Sequence, residues 1–249
     1  MKDKVIEKAK EVYNSLEFDE LSHTYKISGE IYPSTSSLIK QFYEPFKTNL
    51  IAGFVAKKQN KTKEQVLKEW QENNKKATDY GTLVHKYAED YCLDSQGFKK
   101  DIKNENIPKS VIKFWEELPK YYELVFVELQ MYSDEYKYAG TTDFILLDNR
   151  DNSLVIGDYK TNKDLFKSYN NMLKPFELFK DSNYNKYQIQ LSYYQILLEQ
   201  LGFKISNRML VWLKGDEYEI YYPSDLTNIL KIHEHEKSRY NTEGSEHVF

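Results

Sequence analysis

Cysteine is almost missing from this 249-residue sequence, and the one thiol, Cys92, leaves no internal disulfide, no thiolate zinc site and no Cys-ligated iron–sulfur cluster. Any metal must therefore rest on Asp, Glu or His. Long apolar runs are lacking too: nothing approaches the ~20 residues of a membrane span. The opening MKDKVIEKAKEVYN is charged rather than signal-like, so a cytoplasmic protein with no membrane association is expected. A basic excess is also missing, since the net charge is −4, and the overall balance does not advertise nucleic-acid binding. The sequence has no internal repeat, low-complexity tract or interdomain linker.

What is present suits a sizeable core. Hydrophobic residues make up 40%, and 22 Tyr with 13 Phe imply aromatic packing with hydroxyls at its rim. One domain with insertions is expected over residues 1–249: a hairpin and helices over 1–78, a core over 79–222, and a helix and tail over 223–249. Lysine clusters at Lys57, Lys58, Lys61 and Lys63, at Lys75 and Lys76, and at Lys99, Lys100 and Lys103. Such clusters are either solvated helix surface, which charge alone favours, or a surface that tracks phosphates.

Along the chain, Val5 to Leu16 has apolar positions at helical spacing, and HTYKISGEIYPS reads as a hairpin turning at Ser28 and Gly29. Ser34 or Thr35 is expected to cap a helix to about Tyr43, and Glu44 to Gln59 to be helical in part. Thr62 with Gln65 is a capping-box pattern opening a helix with Val66, Leu67 and Trp70. A separate helix is expected from a cap at Thr78 or Asp79. Its apolar stripe is Val84, Tyr87, Ala88 and Tyr91, and Gly81, His85 and Glu89 lie on another face. By position His85 is either a surface histidine beside Glu89 or a ligand. Gly81, one turn earlier, lets another chain segment or a substrate come close.

Pro108 to Leu118 reads as a helix closed by Pro119, and Leu124 to Tyr132 as an alternating strand with Glu128 on its polar face. Glu128 is then either a solvent-facing charge or a ligand. Asn162 to Lys186 lacks periodicity, as loops bordering a cleft often do, and the tyrosines from Asn162 to Tyr187 are candidates to stack on unpaired bases. A helix follows in NKYQIQLSYYQILLEQLG, ending at Gly202, with Gln190 and Tyr194 one turn apart. Arg208 to Lys214 and Tyr218 to Tyr222 form a hairpin around Gly215 and Asp216, and Ser224 is expected to cap a last helix to about Tyr240. His233 and His235 are two apart on that helix, point in different directions, and read as surface residues.

The most informative stretch is Gly140 to Thr161. The apolar run Phe144 to Leu147, the breakers Asp148 to Ser153 and the apolar run Leu154 to Ile156 make a hairpin. Alternation puts Asp158 and Lys160 on one face and Tyr159 on the other, with Asp143 beside them if the register allows. Two carboxylates and an ammonium at the end of an apolar hairpin are costly to hold unless they pair or bind a cation. That pattern fits a metal-dependent hydrolase.

In order, the motifs GTLVH, VEL, GTTD, GDYKT and QLSYY resemble those of the RecB-like branch of the PD-(D/E)XK nuclease superfamily, over about residues 80–200. FDELSHTYKISGEIYPSTSSL and NYNKYQIQLSYY look, more loosely, like its phage-encoded members. The four cysteines of the iron–sulfur relatives are absent, so that subset is not implied. The resemblance implies an α/β, restriction-endonuclease-like core: a central mixed β-sheet flanked by helices, with a helical N-terminal elaboration. It implies Asp143, Asp158, the Tyr159 carbonyl and His85 as metal ligands, with Glu128 a looser match. Lys160 takes the place of the motif lysine, and Gln190 and Tyr194 that of the supporting helix motif. The implied activity is hydrolysis of DNA phosphodiesters with one or two Mg²⁺ or Mn²⁺ ions. The enzyme would be an exonuclease or end-processing nuclease acting on single-stranded DNA or duplex ends in replication, recombination or repair, in a bacterial or phage-infected cell. Two Asp suit hard divalent ions, and an added His shifts the preference toward Mn²⁺. The competing expectations are a non-catalytic DNA-binding or assembly subunit of the same fold and a hydrolase of another phosphate ester.

Overall fold

The computed structural model describes residues 1–19, 22, 24–95 and 109–243. The expected lysines at 99, 100 and 103, Pro108 and the end of the tail lie outside them.

Two sheets organise the chain. The small one is antiparallel: β1 (Leu16–Asp19), β2 (Thr24–Ile27) and β3 (Glu30–Tyr32). The turn between β2 and β3 stands at Ser28 and Gly29, both at positive φ, as a tight hairpin requires. The main sheet has five strands in the order β4 (Tyr122–Ser133), β5 (Tyr138–Asp148), β6 (Ser153–Lys160), β7 (Ile205–Lys214), β8 (Glu217–Tyr221). Pairing is antiparallel except for β6 with β7, which are parallel and joined through a helix, α6 (Asn183–Glu199). The fold is therefore α/β with a central mixed sheet flanked by helices and an N-terminal helical elaboration.

Side-chain alternation divides the core. Ile145, Leu147, Leu154, Ile156, Leu210 and Trp212 face α6, the helix α1 (Lys2–Val12) and the small sheet. Phe144, Leu146, Val155, Tyr159, Met209 and Val211 face the other way. There they meet α5 (Ser110–Glu117) and the C-terminal half of α4 (Lys63–Ser95). The short α2 (Thr35–Leu38), capped by the Ser34 side chain, leads through one 3₁₀ turn to α3 (Thr48–Gln59), which packs on α4. The last helix, α7 (Thr227–Glu243), is tied to α6 and β7 where Arg208 binds Gln195, the Pro223 carbonyl (3.0 Å) and Asp225 (3.5 Å). Among the described residues no helix is long and apolar enough to cross a membrane.

Four expectations need correction. The first helix stops at Val12, and Leu16 opens β1 instead. Thr78 and Asp79 cap nothing: the two helices expected on either side of them are one helix of 33 residues. Its start does carry the capping box, with the Thr62 N–H donating to Gln65 Oε1 at 2.8 Å and the Gln65 N–H to Thr62 Oγ1 at 3.2 Å. Ser224 does not cap α7, which starts at Thr227: it is Asp225 that accepts the Thr227 N–H, at 2.8 Å. Alternation along β4 breaks at Val125, where the register with β5 slips by one, so that Val125 and Phe126 both pack toward α1 and α6.

Candidate active site

Asp143 and Asp158 owe their proximity to hairpin register. Phe144 pairs with Gly157, so the two carboxylates flank that pair at one end of the hairpin. The Thr142 hydroxyl donates to the Gly157 carbonyl at 2.9 Å, and the Tyr159 N–H donates to Asp143 Oδ2 at 2.6 Å. Only glycine fits at 157, since a Cβ there would lie 1.8 Å from the Phe144 ring.

From the opposite side, α4 delivers His85, whose Nδ1 is 3.2 Å from Asp143 Oδ1. One turn earlier, a Cβ on Gly81 would meet Thr161 Oγ1 at 3.4 Å, so the helix runs close to the end of β6. Behind the histidine the Tyr159 ring is edge-on at 6.0 Å, and its hydroxyl accepts from Trp115 Nε1 at 2.8 Å. These contacts fix the height and angle at which α4 crosses the sheet.

Glu128 arrives from β4. It stands between the pairs Val127↔Phe144 and Leu129↔Thr142, and its φ is +50°. A non-glycine residue in that region within a strand is uncommon and carries a backbone cost. The half-buried carboxylate reaches His85 and Asp143: one ligand atom from each of the three lies within 4.8 Å of the others.

Asp158 is held differently, in an ion pair with Lys160, as expected from their shared strand face. Both side chains are largely shielded from solvent. The Lys160 ammonium also lies over the Tyr187 ring, 4.5 Å from its centroid. On the same face of α6, the Gln190 amide donates to the Tyr194 hydroxyl at 2.9 Å. Gly140 makes room for that tyrosine, since a Cβ there would sit 2.7 Å from its ring and 3.0 Å from Thr35. Tyr25 adds a contact to Thr141 at 2.8 Å, so the small sheet supports the hairpin from outside.

Charge in the site is strongly coupled to burial. The neighbouring Asp143 carboxylate lifts the His85 imidazole to about 8, against the lowering effect of burial. Burial, reinforced by Asp143, pushes Glu128 up to about 8. For Asp143 itself burial works upward, but His85, Lys160 and the Tyr159 N–H together hold it below the usual carboxylate value. Burial raises Asp158 to about 6 despite Lys160, with Asp143 adding to the rise. Burial disfavours the Lys160 ammonium, yet Asp158 and the other nearby acidic groups keep its pKa raised and the group charged.

The seven side chains expected at the site, His85, Glu128, Asp143, Asp158, Lys160, Gln190 and Tyr194, thus lie around one end of β5 and β6, in two neighbouring sets. His85, Glu128 and Asp143 form the three-residue group, while Asp158 is engaged by Lys160 beside the Gln190–Tyr194 pair. The Tyr159 backbone enters through its N–H. A nitrogen with two carboxylates, one buried and the other two groups half-buried, mutually close, fits a divalent cation that takes hard ligands plus one imidazole. Asn162 was not expected at the site, and Tyr187, expected to stack on bases, instead packs against Lys160. The Tyr187–Gln190–Tyr194 spacing on one helix face was the available signal. Compared with known proteins, the chain matches no family model and no curated protein.

Proposed function

We propose that this chain is a divalent-metal-dependent nuclease that hydrolyses DNA phosphodiesters, acting at strand ends, in the manner of the PD-(D/E)XK group its motifs resemble. The convergence of His85, Glu128 and Asp143, each from a different element, supports this reading most strongly. A charged, half-buried strand residue at positive φ serves no packing need, and it is explained by a ligand role.

His85, Glu128 and Asp143 would hold the ion, with Asp158 and the Tyr159 carbonyl as the neighbouring candidates. When bound, Mg²⁺ or Mn²⁺ supplies Lewis acidity to a phosphoryl oxygen and acidifies a water. The chain's own part is orientation and charge. Lys160, kept protonated beside Asp158, places a fixed cation where negative charge accumulates on a phosphate. Asp158 fixes the direction of that ammonium. Asp143 accepts from both His85 and the Tyr159 N–H, which locks its carboxylate plane without consuming every lone pair. Gln190 and Tyr194 form a polar wall beside the pair, and Tyr194 is itself buried.

The test is time-resolved cleavage of end-labelled single- and double-stranded oligonucleotides with Mg²⁺, Mn²⁺ or EDTA. Metal-dependent product ladders are expected. Binding that persists in EDTA, with no cleavage under either metal, would instead identify a non-catalytic DNA-binding subunit. Turnover of small phosphodiesters, unaffected by competing oligonucleotide, would identify a different phosphoesterase.

A further inference from the structure

Helix α3 and the first turns of α4 make a unit with a small core of its own, in which Ala52, Ala56 and Val66 are buried beneath Val55, Leu67 and Trp70. It joins the rest of the molecule at one end through residues 43–47 and at the other through Gln71 to Tyr80 of α4, every residue of which is exposed. Because α4 is unbroken, Trp70 and His85 ride on one rod, ~22 Å apart at 1.5 Å per residue.

The outer face of α3 is unusual for a surface helix. Leu50 is 55% exposed and Phe54 61%, and Phe46 just ahead of the helix is 66% exposed. Helical spacing aligns Leu50 and Phe54 in one stripe, with Lys47 a turn before and Lys57 and Lys58 a turn after. From residue 45 to 63 there are five lysines and no acidic residue, in a chain whose net charge is −4. Lys61 is bound to Glu69 at 2.8 Å. Among the described residues, no carboxylate pairs with Lys47, Lys57 or Lys58.

Apolar and aromatic faces bracketed by free ammonium groups match the chemistry of single-stranded nucleic acid, whose bases stack while its phosphates take the cations. A duplex buries its base faces and would leave Phe54 without a partner. A second copy docking on this face would set like-charged lysines against one another. Beyond the polar stretch Gln71 to Asp79, Tyr80 and Leu83 are again exposed apolar side chains of α4, 38% and 40%, shortly before His85.

We propose that α3 is a single-strand-binding arm that holds DNA and leads it along α4 to the His85 group. This rests on the nuclease reading and adds which form of the nucleic acid is held, and where.

The experiment is fluorescence anisotropy of the full chain, in EDTA, with one labelled oligonucleotide presented single-stranded and as a blunt duplex. Leu50→Ser/Phe54→Ser should weaken single-strand binding by at least about tenfold and leave duplex binding unchanged. Phe54→Trp should keep wild-type affinity, which separates stacking from any loss of folding. Lys57→Gln/Lys58→Gln should flatten the plot of log affinity against log salt by about 1.4, two single-strand phosphates' worth. Wild-type single-strand affinity in the serine variant, or equal losses for both forms, overturns the arm. Unchanged DNA binding with an altered mass by light scattering overturns it in favour of self-association. If wild type cleaves DNA while the serine variant binds normally, the arm fails and the nuclease stands. If wild type binds single strands through this face yet cleaves nothing with Mg²⁺ or Mn²⁺, the nuclease fails and the arm stands. Absence of both binding and cleavage removes both.

Discussion

The Lys160 ammonium lies 4.5 Å from the centroid of the Tyr187 ring, and the Tyr187 hydroxyl donates to Asn162 Oδ1 at 2.5 Å. The Asn162 carbonyl in turn accepts from Trp212 Nε1 at 2.7 Å, so the ring is anchored to β7. Tyr187 is a positioning residue for the lysine. Tyr187→Phe keeps the ring and should stay within about threefold of wild type, whereas Tyr187→Leu should lower single-turnover cleavage about thirtyfold, the scale of a ~2 kcal/mol desolvated cation–π contact. Mn²⁺ affinity measured on the same two proteins should not change, which a collapsed site would not permit.

Asp143→Asn, Asp158→Asn and Lys160→Ala should each reduce cleavage at least about a hundredfold, as removal of a main electrostatic contributor does. The three should part company in metal binding. Asp143→Asn removes one of the three grouped ligands and should weaken Mn²⁺, while Lys160→Ala takes a cation away from the site and should not. Calorimetric titration of the metal into each protein distinguishes them.

Metal binding should release protons. At pH 7 the metal-free site holds a proton on Glu128 and one on His85, both lifted to about 8, and both groups must give them up to ligate. Mn²⁺ affinity is therefore expected to climb from pH 6 to about 8 and then level off, with a buffer-dependent heat that reports the protons. The same shifts set the stability of the metal-free protein. The native state binds these protons more tightly than the unfolded chain, so their contribution is complete at low pH and is lost as pH rises through about 8. Thermal unfolding midpoints should fall over that interval without metal and recover with Mn²⁺; a flat profile would contradict the assignment.

Two glycines should respond in opposite ways to alanine. Gly157→Ala forces a methyl group to within 1.8 Å of the Phe144 ring, beneath the hairpin that carries both carboxylates, and should cost about 3 kcal/mol or more. Gly81→Ala meets only ordinary contact with Thr161 and gains helix propensity of about 1 kcal/mol, so it should be neutral or stabilising. Urea unfolding of both variants gives the comparison directly.

The hairpin was legible in the sequence because its information is local: apolar runs, breakers and the period-2 face fix where Asp158 and Lys160 point. The capping box at Thr62 was legible for the same reason. What escaped depends on partners far along the chain. Thr78 and Asp79 look like caps because short polar side chains favour helix starts, but the helix runs through them with help from ion pairs such as Lys75–Asp79. Glu128 reads as one polar residue in an alternating strand, since nothing in its neighbours announces positive φ. Its orientation is set by pairing with β5 and by the acidic, imidazole-bearing surroundings it meets there. Leu16 belongs to β1 rather than α1 because β2 offers it a strand partner, Ile27.

The stretch of α4 from Gln71 to Asp79 also sets a timescale. Every side chain in it is exposed, so among the described residues its backbone hydrogen bonds rest on helix propensity and a few surface pairs, and a helical segment of that length is marginal by itself. Its amides should exchange with deuterium sooner than those around Val66 or Val84 on either side, as a weak link between two cooperative units. While that link is intact, α3 and His85 share one rod; if α3 holds DNA as proposed, each opening of the link loosens the coupling of that strand to the His85 group, and the lifetime of the link becomes a limit on how many successive events one encounter can deliver.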